Sequence, residues 1–254
     1  MDEQEFEPDA GDLQTGRDAM SRLLFLLAVV LPLAAAPAAT SNEPGGVALR
    51  LAIQLTIASL IPMFFVTLTP FLRISVVLHF LRQALGTQTV PSNQVVIALS
   101  ALLTILAISP QLTAIYTDTI QPYNAGKLAE EQAFIQGGAQ MKGYMIPFLG
   151  EKEIALMLRV SKAPPPKSPS DLGFPVIAGA YMLSELKNAF KIGVLLYMPF
   201  LIIDLIVSAV IVTLGMIQLP PVMVSAPFKI LIFVLADGWT VIIDAVMKSL
   251  QVIH

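Results

Sequence analysis

The sequence predicts an all-α, membrane-associated protein built of apolar helical hairpins, with a small helical insertion between them. Hydrophobic residues make up 56% of the 254 residues and charged residues only 13%, whereas ordinary globular domains have roughly 45–50% and about 25%. Long stretches carry no charge at all, namely 51–72, 83–117 and 205–228. Apolar residues do not alternate with period two over any long stretch, so we expect helices and not strands.

Composition also excludes several classes of function. The chain lacks cysteine, which excludes disulfides, thiolate metal sites and cysteine nucleophiles. It has two histidines, too few for a histidine zinc site within one chain, so we expect neither a metal nor a cofactor. Residues 47–254 hold 10 acidic and 13 basic residues. This balance does not supply the strongly basic face that a nucleic-acid partner needs.

The first 39 residues are predicted to be a secretory signal peptide. Two arginines precede an apolar run over 23–33, and small residues follow it, which is the pattern of such a signal. Cleavage after Ala38 or Ala39 fits this pattern best, and the alternative is an uncleaved signal anchor. Residues 1–16 carry six acids and no base. A start at Met20 is therefore an alternative, which would make the first 19 residues a misassigned start.

The remaining chain is predicted to divide into three parts. Residues 40–117 form an apolar helical hairpin, residues 118–172 a charged helical region, and residues 173–254 a second apolar hairpin. The short connection 73–82 carries two arginines and no acid, so the positive-inside rule places it in the cytoplasm. The signal peptide agrees, and together they place the charged region on the outer, periplasmic side of a membrane that the chain crosses several times.

Two local features are predicted in the first hairpin. Ser92 or Asn93 caps the helix that follows Pro91, because both side chains accept hydrogen bonds from a helix N-terminus. The alternative for this segment is a contact with a partner protein. Arg73 and Arg82 are expected to anchor the membrane topology.

Charged residues interrupt the second apolar hairpin. A charge at the centre of a membrane helix costs about 2.5–3.5 kcal/mol on the insertion scale, so the charges between 174 and 213 must face protein or an aqueous path. By the i, i+3, i+4, i+7 rule, one helical face carries a polar stripe made of Ser184, Glu185, Asn188 and Lys191. This stripe suggests pairing between subunits, and the alternative is a solvated face. The predicted intersubunit ion pairs involve Glu185, Lys187, Lys191 and Lys229.

Two carboxylates, Asp204 and Asp237, are predicted to be buried. We expect them to make structural pairs. The alternative is that they carry protons, which would make the protein an ion-coupled transporter or channel. An intramembrane enzyme is a third class, but the sequence has neither a G-x-S-x-G nor an H-E-x-x-H motif, so we expect no catalytic residues.

A short tip is predicted between the two helices of the second hairpin. Gly215 permits unusual backbone angles and Pro220–Pro221 prevents helix continuation. The residues between them, 216–219, are left as a short exposed loop. An apolar loop of this kind is costly unless neighbouring copies cover it, so copies should converge there around an axis.

Ordered motifs along the chain resemble those of the FliP family of flagellar type III export-gate proteins. The first, over 80–96, reads FLRQALGTQTVPSNQVV. The second, over 184–193, reads SELKNAFKIG and is followed by PFLIID at 199–204. The third combines LPP at 219–221 with PFK at 227–229 and LADGW at 235–239. The resemblance extends from about residue 47 to 247.

This resemblance implies a core component of the flagellar export gate, located in the basal body. Several copies, expected to be five, would assemble with two other small membrane proteins, beside the large export-gate protein. They would surround a pore for unfolded flagellar substrates. In the family a methionine-rich loop narrows the pore. Here Met216, Ile217, Gln218 and Leu219 are expected to form that constriction, and the alternative is a plain interhelical turn.

Overall fold

The computed structural model describes residues 44–87, 91–162, 166, 168, 171–216 and 218–250. The predicted signal peptide lies outside these residues, as does Ile217 of the predicted constriction. Every regular element among the described residues is a helix. This observation confirms the all-α class.

The helices follow one another with short connections. In chain order they are α1 (Pro44–Leu68), α2 (Phe71–Ala84), α3 (Asn93–Ile115), a π-helical turn (Tyr116–Ile120), α4 (Gln121–Asn124), α5 (Glu130–Met145), a 3₁₀ turn (Ile146–Phe148), α6 (Glu151–Ser161), α7 (Phe174–Thr213), α8 (Pro221–Leu235) and α9 (Gly238–Ser249). The described residues divide into two compact units, with the boundary between Met63 and Phe64. The side-chain contacts described below lie in the second unit.

Two described helices are long and apolar enough to cross a membrane. One is α3 with its continuation to Asn124, 32 residues in all, and the other is α7, with 40 residues. Two bent helix pairs pass the same test when each is counted as one span: the end of α1 with α2, and α8 with α9. At 1.5 Å per residue α7 is about 60 Å long, twice the thickness of a hydrocarbon core of ~30 Å. Part of α7 must therefore lie outside that core.

The first predicted hairpin, residues 40–117, contains three helices instead of two. The segment 73–82, expected to be a cytoplasmic connection, is the body of α2. The physical reason is a buried apolar stripe at helical spacing. The stripe consists of Ile74, Val77, Leu78 and Leu81.

Hydroxyl side chains satisfy backbone groups along α3. Ser92 accepts a hydrogen bond from the backbone N–H of Val95, which confirms the predicted cap. The buried hydroxyl of Thr104 donates to the carbonyl of Ser100 at 2.6 Å. Pro110 has no N–H for the carbonyl of Leu106, and the hydroxyl of Ser109 donates to that carbonyl instead, at 2.9 Å. The helix therefore continues through its proline.

The buried side chains form two clusters, and α7 contributes to both. The larger cluster joins α2, α3, α8 and α9 to the middle of α7. The smaller one joins α5 and α6 to the first turns of α7 around Tyr181. The N-terminal half of α7 is thus covered by its own chain.

A glycine sets the distance between α2 and α7. A Cβ atom added to Gly193 would lie 2.5 Å from Cδ2 and 2.7 Å from Cγ of Phe80. The Phe80 ring packs edge-on against Phe190, with 5.4 Å between ring centroids, which limits its room to move. Only a residue without a Cβ fits at this crossing, as is common where membrane helices approach closely.

Replacing Gly193 by alanine is expected to destabilise the protein by about 1–3 kcal/mol, the usual cost of overpacking. The measurement is the Tm of the protein purified in mild detergent. Gly143→Ala on α5 is the matched control, because no atom lies within 4 Å of its added Cβ and alanine favours helix. Equal Tm values for the two variants would show that Phe80 moves aside without cost.

Candidate functional site

The polar stripe of α7 is packed against its own chain. Ser184 is 3% exposed and Glu185 is 1% exposed. The hydroxyl of Ser184 accepts a hydrogen bond from the backbone N–H of Gly150, at 2.9 Å. Gly150 is the N-cap of α6, so this hydroxyl fixes the start of α6 on α7.

Glu185 forms a buried ion pair with Arg73 of α2. The guanidinium Nη2 lies 2.5 Å from Oε1 of Glu185, and the two side chains are 2% and 1% exposed. The other terminal nitrogen donates to the carbonyl of Ser249 at 2.7 Å and lies 3.2 Å from its hydroxyl. The guanidinium carbon is also 5.8 Å from the ring centroid of Phe148. Arg73 is thus a buried structural cation, and its role as a topology anchor stays a prediction.

The same place holds polar atoms that the single chain does not satisfy. Among the described residues, the buried side-chain atoms without a hydrogen-bond partner are Nε of Arg73, the hydroxyl of Tyr181 and Oε2 of Glu185. Buried polar atoms normally have partners, so three such atoms together require an explanation. Tyr144 packs beside Tyr181, with 6.4 Å between ring centroids, and burial raises the pKa of Tyr144 to about 12.

A second ion pair joins α7 to α8. Nζ of Lys229 donates to Oδ2 of Asp204 at 2.6 Å and to the carbonyl of Ala84 at 3.1 Å. The hydroxyl of Ser225 donates to Oδ1 of Asp204, also at 2.6 Å. The side chain of Lys229 is 2% exposed and that of Asp204 is 23% exposed. This group connects three helices, because Ala84 is the last residue of α2.

The other predicted charges lie nearer the surface. Lys187 donates to Glu153 of α6 at 2.8 Å and is 61% exposed, and this hydrogen bond lowers the pKa of Glu153. Lys191 is exposed. Three of the four side chains predicted to pair between subunits therefore have an oppositely charged partner in their own chain: Glu153 for Lys187, Asp204 for Lys229 and Arg73 for Glu185.

Asp237 differs from Asp204. It occupies the turn between α8 and α9 with a φ of +47°, and its side chain is exposed. The burial predicted for Asp237 is not found within one chain, because the left-handed turn directs the chain into α9 at a bend of 69°. Among the described residues, no group of three or more acidic or histidine side chains is arranged to hold a metal ion.

The tip between α7 and α8 is an exposed loop with a defined helix end. Gly215 has a φ of +75° and its N–H donates to the carbonyl of Val212, while the N–H of Met216 donates to the carbonyl of Ile211. These two bonds form a Schellman motif, in which glycine supplies the left-handed residue. Met216 is 45% exposed and Leu219 is 43% exposed, and Gln218 is exposed as well.

Apolar side chains continue from the tip along α7 and α8. The outer half of α7 and most of α8 expose side chains that would be buried in an ordinary core. On α7 the exposed set is Val194, Leu195, Met198, Leu201, Ile202, Leu205, Ile206, Val210 and Val212. On α8 it is Val222, Met223, Phe228, Ile230, Leu231, Ile232, Val234 and Leu235. We call this the hairpin surface. A surface of this size marks contact with lipid or with other protein.

Sequence reasoning did not identify four residues that bind these charges: the ion-pair partners Arg73 and Glu153, and the hydrogen-bond partners Ser225 and Ser249. A signal existed for Arg73, because it directly follows 22 residues without a charge and a cation beside such a stretch calls for a counter-ion. Ser225 and Ser249 carry no comparable signal in the sequence.

Comparisons with known proteins agree with the motif order. The family model described as FliP family matches residues 54–246. The flagellar biosynthetic protein FliP of Aquifex aeolicus is 40% identical over 205 residues, which cover 80% of this chain and 86% of that protein. Those of Bacillus subtilis and Borreliella burgdorferi are 37% and 41% identical, covering 83% and 79% of this chain and 96% and 80% of their own lengths.

Proposed function

The chain belongs to the FliP family, and from this premise we propose that several copies of it form, with partner subunits, a pore for unfolded flagellar proteins. At the coarser level it is a membrane-bound flagellar biosynthesis protein of the export apparatus. The proposed assembly contains five copies, two other small membrane proteins and the large export-gate protein. It lies in the bacterial inner membrane, with residues 118–172 on the periplasmic side.

The observation that carries this proposal is the hairpin surface. Its charged neighbours Asp204 and Lys229 are satisfied by each other and by α2, so the outward face of the hairpin is left to apolar contacts. Lipid alone would cover such a face without specificity. Copies arranged around an axis would cover it and would bring their tips together.

The tip is the proposed constriction. Met216 and Leu219 expose apolar side chains at the end of the hairpin, on a loop whose start is fixed by the Schellman bonds of Gly215. A ring of such tips would make an apolar barrier that excludes ions by dewetting. A thioether side chain is flexible and adapts to varied passengers.

Subunit contacts are also proposed for the polar stripe. Oε2 of Glu185 is a buried acceptor without a hydrogen-bond partner. A cation from a neighbouring copy would satisfy it. Lys187 and Lys191 are exposed on the same helix, where they can reach a neighbour. Proton transport by Asp204, the alternative function, is disfavoured by the lysine and the hydroxyl that already hold both of its oxygens.

Native mass measurement tests the proposal. The full chain is co-produced with the two other small export-gate proteins, extracted in mild detergent and weighed. We expect a hetero-oligomer with several copies of this chain, and swimming should be lost when the gene is deleted and restored by the parent chain. A lone monomer that moves a small solute would contradict the proposal.

Truncating the apolar side chains of the tip is expected to weaken the barrier to ions. In Met216→Ala combined with Leu219→Ala, passive ion leak through the assembled complex should rise severalfold, because the apolar barrier becomes wider and wets more easily. Growth in high salt should slow, while the assembled mass stays unchanged. Leu235→Ala is the matched control: it removes a leucine that is even more exposed, 76% against 43% for Leu219, from the other end of α8. Leak equal to that of the control would place the constriction elsewhere.

A further inference from the structure

The charged region between the candidate spans exposes large apolar side chains. On α5, Phe134 is 84% exposed and Ile135 is 62% exposed. At the end of α6, Val160 is 68% exposed. This region is rich in charge, which is typical of an aqueous surface. Uncovered apolar side chains there forgo the stabilisation that burial would give, about 25 cal/mol per Å².

The orientation of α5 is fixed, so these side chains cannot turn inward. On its opposite face, Nε2 of Gln136 donates to the carbonyl of Asp118 at 3.0 Å. The side chain of Gln140 accepts from the hydroxyl of Thr119 at 3.1 Å. Phe134 and Ile135 therefore remain outside unless another molecule covers them.

Exposed charges of opposite sign accompany the two apolar sites. Acidic residues occupy the first turn of α5, and basic residues lie at the end of α6. We define the acidic patch as Glu130, Glu131, Phe134 and Ile135, and the basic patch as Arg159, Val160 and Lys162. In the part of the chain that the structure describes, none of these four charges forms an ion pair.

We propose that the acidic patch of one copy docks on the basic patch of the next copy. The inference rests on the proposed function, since it names a contact within the proposed oligomer. The two patches carry opposite charges, and each has an uncovered apolar centre. They lie on different helices of the same chain. A contact between two different patches is heterologous, and repeated rotation closes it into a ring. Gly138, one turn after Phe134, has open space above it and gives Val160 room to approach.

Cysteine crosslinking between two marked chains tests this contact. The natural chain has no cysteine, so each introduced thiol is unique. Two full-length chains with different tags, one carrying Phe134→Cys and the other Val160→Cys, are co-produced in membranes with the partner subunits and oxidised. We expect a dimer carrying both tags, and no dimer when either variant is produced alone. Phe134→Cys with Tyr123→Cys, an exposed position outside both patches, is the matched control.

Charge reversal adds a second readout. Glu131→Lys in the Phe134→Cys chain should lower the yield of mixed dimer roughly two- to fivefold, the range expected for exposed ion pairs. Arg159→Glu in the Val160→Cys chain should restore it. A general loss of folding would not be restored by a second charge change in another chain.

The results that would contradict the docking inference can be told apart from those that would contradict the proposed function. An intact oligomer by native mass without mixed dimer would overturn the docking inference and leave the proposed function standing. A dimer from Phe134→Cys alone, or crosslinking of that thiol to a protein of another mass, would likewise overturn the inference. A chain that is monomeric in membranes containing its partners would contradict the proposed function and the docking inference together.

Discussion

Cells that carry Glu185→Lys are expected not to swim and to contain little of the folded protein. The change places an ammonium group beside the guanidinium of Arg73 in a site where both side chains are almost fully buried. Breaking a buried pair by removing one partner costs about 3–5 kcal/mol, and a like charge adds repulsion. The free energy of unfolding of a domain is only about 5–15 kcal/mol, so losing this ion pair removes a large part of it.

The matched control is Lys187→Glu, two residues away on the same helix. Lys187 is 61% exposed, and an exposed ion pair contributes about 0–1 kcal/mol. This variant should therefore accumulate nearly as the parent does, so a loss of swimming in it would report on a subunit contact and not on folding. Swimming and protein level are read in the same strains, by soft-agar spreading and by immunoblot of membranes.

A charge exchange identifies the partner of Glu185. Arg73→Glu combined with Glu185→Lys should recover part of the folded protein if the pair lies within one chain. Recovery with Lys229→Glu, and not with Arg73→Glu, would instead assign the pair to neighbouring subunits. Normal swimming by Glu185→Lys alone would show that neither pair is needed.

Replacing Lys229 by methionine is expected to lower stability by about 2–4 kcal/mol. Methionine keeps the length of the side chain, but it leaves Asp204 with only the Ser225 hydroxyl and removes a donor from the carbonyl of Ala84. The expected loss is smaller than for Glu185, because Asp204 keeps some contact with solvent and less of its charge is stranded. Thermal unfolding in detergent measures the loss.

The double variant Asp204→Asn with Lys229→Met should recover most of that loss, because it removes the uncompensated charge. Lys248→Met is the control on a surface pair. Lys248 lies 2.8 Å from Asp244 one helical turn away, with 57% and 43% exposure, and its removal should cost about 0.3–0.5 kcal/mol. A double variant no more stable than Lys229→Met would mean that packing around the lysine stem, and not charge, holds the hairpin.

Local rules predicted the helical class and several local features. Charge-free stretches and the absence of alternation indicated helices, and the position of Ser92 after Pro91 predicted its cap. The break at Gly215 predicted the end of α7, because glycine alone adopts the left-handed conformation there without strain. Each of these features depends on residues within a few positions of one another.

Partner choice could not be predicted in the same way. Arg73 and Glu185 are 112 positions apart, and Lys229 and Ala84 are 145 apart. The cost of buried charge predicted that the charges on α7 need partners, but any of several cations could have served. Only the packing of α2 on α7, set by Gly193, decides that Arg73 is the cation that meets Glu185.

The contact between Arg73 and Ser249 has a consequence for the order of events during synthesis. The two residues are 176 positions apart, so at about 5–20 residues per second roughly 10–35 s pass between their emergence from the ribosome. Through that interval α2 carries a cation that lacks one of its final acceptors. The last described helix therefore completes a site begun by one of the first, and a nascent chain halted before α9 can pair Arg73 with Glu185 but lacks the carbonyl and hydroxyl of Ser249.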